Sequence, residues 1–372
     1  MKKLNKLLFS HLKKFLYEKK LKILNKKNNK LALKYNFKSF YYTGLSSFLI
    51  ITIFFLLPIL DNFKKKSQEV NNSSKLKLER VLSGDSIKTE EVEDLDITNI
   101  FQDIFEFDAI PEDSVRLSAT VIEQIFKDTN YNISDVRKNK FVKPISLSLL
   151  PKEMKKIENT KKRKNLFIQI ILPLILAETN QIKIDRKKLF NILNKNNNSV
   201  AEKKWLKIKL KQYGVKKNDL STLKIRMDEV PSSLAIAQAA KETGWGTSRF
   251  ALEGNALFGQ WTYTGEGIKP LGSNSLENHK VMKFKILKAS IRAYYRNLNT
   301  HSSYKKFRKA RAVLRDDEQK LDSLILADYL DKYAATGKEY IKVLKKIITQ
   351  NSLKDFDDVK LLPTSSRLKN LI

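Results

Sequence analysis

The segment Lys241-Glu242-Thr243-Gly244-Trp245-Gly246 sets a single carboxylic acid where an apolar run gives way to glycine. The stretch before it, from Val230 to Glu242, reads as a short helix by its own rules. Pro231 and the two serines after it suit a first turn, Leu234, Ala237 and further small residues allow close packing, and Gly244 and Gly246 stop the run. A carboxyl at that end faces the negative pole of the helix dipole, which disfavours its ionised form. Trp245 and Trp261 are placed to keep water away and push in the same direction. A glutamic acid that stays protonated near neutral pH is the proton donor a glycosidic oxygen needs as its bond to carbon breaks. Residue types alone favour the plainer reading, a surface glutamate at a helix end beside two core tryptophans.

Other chemistries are thinly represented. The chain has no cysteine, which removes disulfides, thiolate metal sites and cysteine nucleophiles together. Its histidines, His11, His279 and His301, are too scattered for a metal site, and His301 reads as a structural residue at a helix end. No phosphate-cradling glycine loop is present, so neither a metal nor an organic cofactor is implied. The formal charge of +32 comes mainly from lysine. It fits a general bias towards lysine, asparagine and isoleucine as well as it fits attraction to a polyanion. No recognised nucleic-acid module accompanies it, so nucleic acid is not an expected partner.

The elements around Glu242 read as mostly helical. Leu166, Phe167, Ile170, Ile171, Leu174 and Leu176 recur at helical spacing and predict a helix over Lys161–Leu176, kinked at Pro173. Further helices are predicted at Asp185–Leu193, Val200–Gln212, Ser232–Glu242, Ala289–Thr300, Asp316–Tyr333 and Glu339–Thr349, with weaker periodicity at Asp96–Phe107 and Ser114–Phe126. Only residues 260–285 look strand-like, with turn residues Gly265, Gly267, Gly272 and Asn274. There is no internal repeat. The fold class expected is α+β, mostly α, with one small β-hairpin lobe inserted in a helical domain.

The amino end carries a different signal. From Ser39 to Leu60 no residue is charged, and these 22 residues, at a rise of about 1.5 Å each, span roughly the hydrocarbon thickness of a bilayer. Residues 1–43 hold thirteen lysines against one acid, Glu18, which predicts a cytoplasmic flank and an exported remainder. The expected organisation is a basic segment (1–43), an uncleaved transmembrane signal anchor (44–60), a linker and accessory region (61–144), a catalytic domain (145–355) and a tail (356–372). That order implies a single-pass inner-membrane protein with its catalytic domain in the periplasm.

The wider string around Glu242 carries a resemblance. Val230–Gly246, Ser248-Arg249-Phe250, Gly254-Asn255-Ala256-Leu257-Phe258-Gly259-Gln260-Trp261 and Asn297-Leu298-Asn299-Thr300-His301 are similar to the Bax-type branch of the bacterial glucosaminidase domains, glycoside hydrolase family 73. Arg163 to Leu174, Tyr213-Gly214-Val215 and Tyr333–Tyr340 look like further family positions, so the likeness covers roughly residues 145–355. It implies a lysozyme-like fold and an endo-β-N-acetylglucosaminidase acting on β-1,4-linked peptidoglycan glycan strands. By this resemblance Glu242 is the general acid, and a second carboxylate belongs on the hairpin lobe, where Glu277 fits by its distance after Glu242 and Glu266 is the alternative. Tyr333 is implied as the active-site tyrosine, with Tyr340 as its substitute. Gln238, Trp245, Asn255, Phe258, Gln260, Trp261 and Tyr340 are implied as substrate-binding residues. A lytic transglycosylase is the nearest rival, but such enzymes carry a Gly-Leu-Met-Gln-type segment soon after the glutamate, where this chain has Asn255-Ala256-Leu257-Phe258-Gly259-Gln260. A non-catalytic wall-binding envelope protein is the reading from a different class.

Overall fold

The computed structural model describes residues 101, 104, 115–216, 219–262, 267–270 and 280–363. The expected anchor at 44–60 and its basic flank lie outside the described residues, as do Glu266, Glu277, His11 and His279. The body opens with α1 (Ala119–Asp128), α2 (Ile133–Asn139) and the short strand β1 (Phe141–Val142), followed by a 3-10 turn at Lys152–Lys156. Then come α3 (Thr160–Leu193), α4 (Val200–Gln212), α5 (Leu220–Arg226), α6 (Ser232–Thr243) and α7 (Arg249–Gly254). Strands β2 (Trp261–Thr262), β3 (Gly267–Ile268) and β4 (Lys280–Met282) form the small lobe. The chain closes through α8 (Leu287–Thr300), α9 (Lys305–Asp316), α10 (Ser323–Ala327), α11 (Lys338–Gln350) and β5 (Lys360–Leu361).

Helix α3 is one unbroken element of 34 residues, where the periodicity predicts two. Between the two predicted parts, and at the first residue of the second, its polar side chains find partners. Thr179 Oγ1 pairs with the Tyr295 hydroxyl at 2.8 Å, Glu178 meets Arg292 at 3.3 Å, and Asp185 meets Lys209 at 2.7 Å. Pro173 lies inside the helix and brings no N–H to the carbonyl of Gln169, four residues earlier. The buried Tyr131 hydroxyl donates to that carbonyl instead, at 3.0 Å, and the Gln169 amide returns a bond to the Tyr131 carbonyl at 2.7 Å. By length and composition α3 would also span a bilayer, but two-thirds of its most apolar stretch is buried within the fold. Its Phe167, Ile170, Ile171 and Leu174 belong to the main core, and the helix packs on α6 and α8.

Helix α6 runs through the middle of that core. Leu234, Ala235, Ile236, Ala237, Gln238, Ala239 and Ala240 are all at most 1% exposed, so the helix is enclosed all round. Small side chains let α3, α10, α11 and the 3-10 turn at Leu353–Phe356 approach it closely. Its first turn has no local side-chain cap. Asp357 supplies the acceptors from a distance, taking the Ser233 N–H and hydroxyl at 2.8 Å each.

The lobe is a three-stranded antiparallel sheet in the order β2-β4-β3, with Trp261 opposite Val281 and Gly267 opposite Met282. This is the strand-like region the sequence predicts. A second pairing was not expected: β1 lies parallel to β5, Phe141 beside Lys360, so the packed body reaches beyond 145–355 at both ends. The helix predicted over Asp316–Tyr333 is not formed as one element. α9 ends at Asp316, and α10 restarts only at Ser323, where the Asp322 carboxylate accepts from the Leu324 and Ile325 N–H groups.

Candidate active site

Glu242 sits in the last turn of α6, and the backbone after it is tightly fixed. Gly244 adopts φ +57° at the helix cap, a left-handed conformation that suits glycine. The Gly244 and Trp245 N–H groups both return to the Ala240 carbonyl. Thr243 then ties the next turn: its hydroxyl accepts from Gly246 N–H at 2.9 Å, and its carbonyl accepts from Thr247 and Ser248 at 2.9 Å. Trp245 is held in the same left-handed region (φ +61°), its ring edge-on to Phe167 with the Lys164 ammonium 4.9 Å from the ring centroid. This tryptophan packs on the main core, flanking the turn.

The Glu242 carboxyl is half-buried against the aromatic side of α8 and α11. Burial pushes its pKa up, while a hydrogen bond from the Tyr340 hydroxyl and the charge of Lys241 pull it back, leaving it above the ordinary glutamate value. Gly259 (φ +62°) presses on it from the other side; a Cβ there would sit 3.1 Å from Glu242 Oε2. Behind Tyr340 stands a chain of buried donors and acceptors. The Tyr294 hydroxyl donates to Gln238 Oε1 at 2.7 Å, and Gln238 Nε2 donates to the Tyr340 hydroxyl at 3.1 Å. Because the Tyr340 oxygen already accepts from Gln238, its own proton is directed at Glu242. Tyr340 stacks on Tyr333 (5.4 Å between centroids, 10° between planes), and Tyr333 in turn meets Tyr304 at 5.8 Å. Burial raises the pKa of each of these phenols, that of Tyr304 to about 12, so near neutral pH they are hydrogen-bond donors and carry no charge.

A scan against family models matches residues 220–353 to "Mannosyl-glycoprotein endo-beta-N-acetylglucosaminidase", the glucosaminidase domain. Among curated proteins, Protein bax of Escherichia coli (strain K12) is 33% identical over 210 residues, covering 55% of this chain and 75% of that protein. The chain belongs to the Bax-type glucosaminidase-domain proteins. No solved structure gives a significant match.

Within this Bax-type domain the structure distributes the sequence-derived site residues unevenly. Glu242, Gln238, Tyr340 and Tyr333 converge: Tyr340 is the tyrosine that reaches the carboxyl, while the Tyr333 hydroxyl donates to the Phe258 carbonyl at 2.9 Å. Phe258 is buried and stacks on Tyr294 at 3.9 Å, so its side chain is part of the core behind the site. Asn255 ends α7 in a left-handed conformation, and its Nδ2 braces the Phe284 and Lys285 carbonyls. Gln260 is buried and its Oε1 has no partner among the described residues, whereas Trp261 follows on β2 with half its surface exposed. The residues the sequence did not single out are Tyr294, Tyr304 and Gly259. For Tyr294 the signal was its place in the apolar row of α8, shared with Ile291 and Leu298, which reads as plain core.

Proposed function

We propose that this protein hydrolyses the β-1,4 glycosidic bonds of peptidoglycan as an endo-β-N-acetylglucosaminidase, with Glu242 as general acid. The observation that carries the reading is the half-buried Glu242 carboxyl, held above its ordinary pKa by burial and gripped by the Tyr340 hydroxyl. The raised pKa favours the protonated form that this chemistry needs, in which the acid gives its proton to the glycosidic oxygen as the C–O bond breaks and water completes the sugar. Tyr340 supports the conjugate base by donating to the same carboxyl, and Gln238 keeps that donor aimed. Gln260, whose buried carbonyl oxygen has no partner among the described residues, suits an N–H donor such as an acetamido group, and the exposed Trp261 ring suits the face of a sugar. Glu277 or Glu266 is the second carboxylate in this scheme. The uncharged stretch at 44–60 behind its lysine-rich flank supports an inner-membrane anchor with the domain in the periplasm, beside that polymer.

The test is mass spectrometry of sacculi digested by the wild type and by Glu242→Gln. The reading expects new reducing ends on N-acetylglucosamine from the wild type and none from the variant. Anhydro-muramyl ends would make the protein a lytic transglycosylase. Equal digestion by the variant would remove Glu242 from the mechanism, and wall binding without digestion by either protein would make it a binding protein.

A further inference from the structure

Helix α4 has thirteen residues and buries none of them. Its Leu206 and Leu210 lean on a small core of Leu189, Tyr213, Leu223 and Met227, while its outer arc presents Val200, Lys203, Lys204, Lys207, Ile208 and Lys211, all exposed. The second half of α3 lies antiparallel beside it. Lys209 meets Asp185 at 2.7 Å, Lys188 sits 4.8 Å from the Trp205 centroid, and Lys195 meets Glu202 at 2.6 Å. On α3 the exposed row is Ile184, Lys187, Lys188 and Asn191, and Lys195 follows just past its end.

The charge on this hairpin is one-sided. From 183 to 211 nine lysines and one arginine stand against two acids, Asp185 and Glu202. Both acids are consumed inside the hairpin, Asp185 by Lys209, and Glu202 by Lys195 and by the Ser199 backbone N–H. A compositional bias towards lysine spreads charge along the chain; it does not gather cations on one face and spend both local acids internally. Aliphatic side chains are set among those cations, with Val200 85%, Ile184 53% and Ile208 46% exposed. The rings of the hairpin are not on offer: Lys188 and Lys209 cover Trp205, and Arg186 and Lys224 cover Phe190. A sugar polymer or a single-stranded nucleic acid would use such rings as stacking platforms.

We propose that this α3–α4 face docks on an anionic phospholipid surface. The lysines match headgroup phosphates, and the aliphatic residues between them reach the boundary of the acyl chains. The inference stands apart from the role of Glu242.

The absence of cysteine gives a clean test. An environment-sensitive fluorophore on Ile208→Cys is followed in the full chain reconstituted into vesicles of phosphatidylcholine alone or with phosphatidylglycerol. A probe on Lys320→Cys, which is 86% exposed, serves as the control. The expected result is a blue shift at position 208 only with phosphatidylglycerol, falling away as salt rises from about 0.1 to about 0.5 M and screening shortens. Reversing Lys187, Lys203, Lys204 and Lys207 to Glu should raise the phosphatidylglycerol needed for half the shift by about tenfold or more. Equal shifts in both vesicle types, no shift in either, or a shift produced by sacculus fragments and not by anionic lipid would each overturn the proposal. The last outcome would make this a wall-polymer surface.

Discussion

Tyr340 and burial act on the Glu242 carboxyl in opposite directions, so removing the tyrosine has a definite sign. The hydrogen bond from Tyr340 favours the carboxylate, so Tyr340→Phe leaves burial less opposed and raises the Glu242 pKa further. If the protonated form is the active one, the falling alkaline limb of the pH–activity profile on sacculi moves to higher pH, on top of any loss of rate. Gln238→Met should move it the same way by less, because the phenol remains but is no longer aimed. A limb that stays put or moves to lower pH would exclude this coupling. Glu242→Gln should cut digestion by about 10²-fold or more, the usual scale of a general acid. The same substitution has a stability consequence. A carboxyl whose folded pKa is raised binds its proton more tightly folded than unfolded, so stability falls as pH rises from the ordinary value near 4.5 through the raised one. The variant lacks this loss and should melt no lower than the wild type at pH 8, where a purely structural Glu242 would make it melt lower. The place of Glu242 at the end of α6 was legible in the sequence because Gly244 and Gly246 stop the run, while its role as the acid rests on the family resemblance. The Tyr294–Gln238–Tyr340 chain was not legible, since its members come from three helices and meet only through tertiary packing.

At the scale of elements, the sequence pattern marked most of the long helices and missed one whose dry face includes charge. The pattern predicts Val200–Gln212 with the bounds observed, and Ser232–Glu242 and Glu339–Thr349 each one residue short at an end or both. It misses α9, whose buried row of Phe307, Ala310, Arg311 and Leu314 includes an arginine. It also divides α3, because the polar stretch after Leu176 reads as a break. The Tyr131 hydroxyl that serves the Gln169 carbonyl gives a test of why the helix tolerates Pro173. Tyr131→Phe should cost about 1–3 kcal/mol by leaving that acceptor unpaired. In a Pro173→Ala background, where the restored N–H can serve Gln169, the same change should cost clearly less, as urea unfolding of the double-mutant cycle would measure. Additive costs would mean that the tyrosine acts through packing alone. Asp357 makes the matching point for α6. Asp357→Ala strips the acceptors from Ser233 and should destabilise by about 1–2 kcal/mol, while Asp357→Asn keeps one acceptor and should cost less. Burial lifts the Asp357 pKa to about 6, so its charge itself weighs against folding above that pH, and Asn should compare best with the wild type there.

For the molecule as a whole, the contacts that fix how the helices assemble are long-range in sequence and invisible to periodicity. The β1–β5 pairing joins strands of two residues each from the two ends of the described body, too short to register as strands by alternation. The loop leading into α6 shows the same logic with charge. Asp228 is 2% exposed and lies among three guanidiniums: Arg315 at 3.1 Å, Arg311 at 3.6 Å and Arg186 at 3.7 Å. These come from α9 and α3, and the fully buried Arg311 also donates to the Asp228, Glu229 and Ile225 carbonyls. One carboxylate therefore balances arginines from two helices and holds the entry to the helix that carries Glu242. Asp228→Asn keeps the shape and removes the charge, leaving Arg311 buried and uncompensated, which should cost about 3–5 kcal/mol near neutral pH. The pH dependence separates this from a packing effect. Burial alone would raise the Asp228 pKa, yet the three arginines hold it below its ordinary value of 3.8. A carboxyl with a depressed folded pKa contributes stability that is present above the unfolded value and is lost as pH falls through the folded one. Urea midpoints of wild type and variant should therefore lie far apart at about pH 7 and begin to converge only below the ordinary value of 3.8, as the native carboxylate of the wild type takes up the proton that removes the charge the variant never had. A gap that persists unchanged into acid would mean that shape at position 228, and not its charge, holds α3 and α9 to the loop before α6.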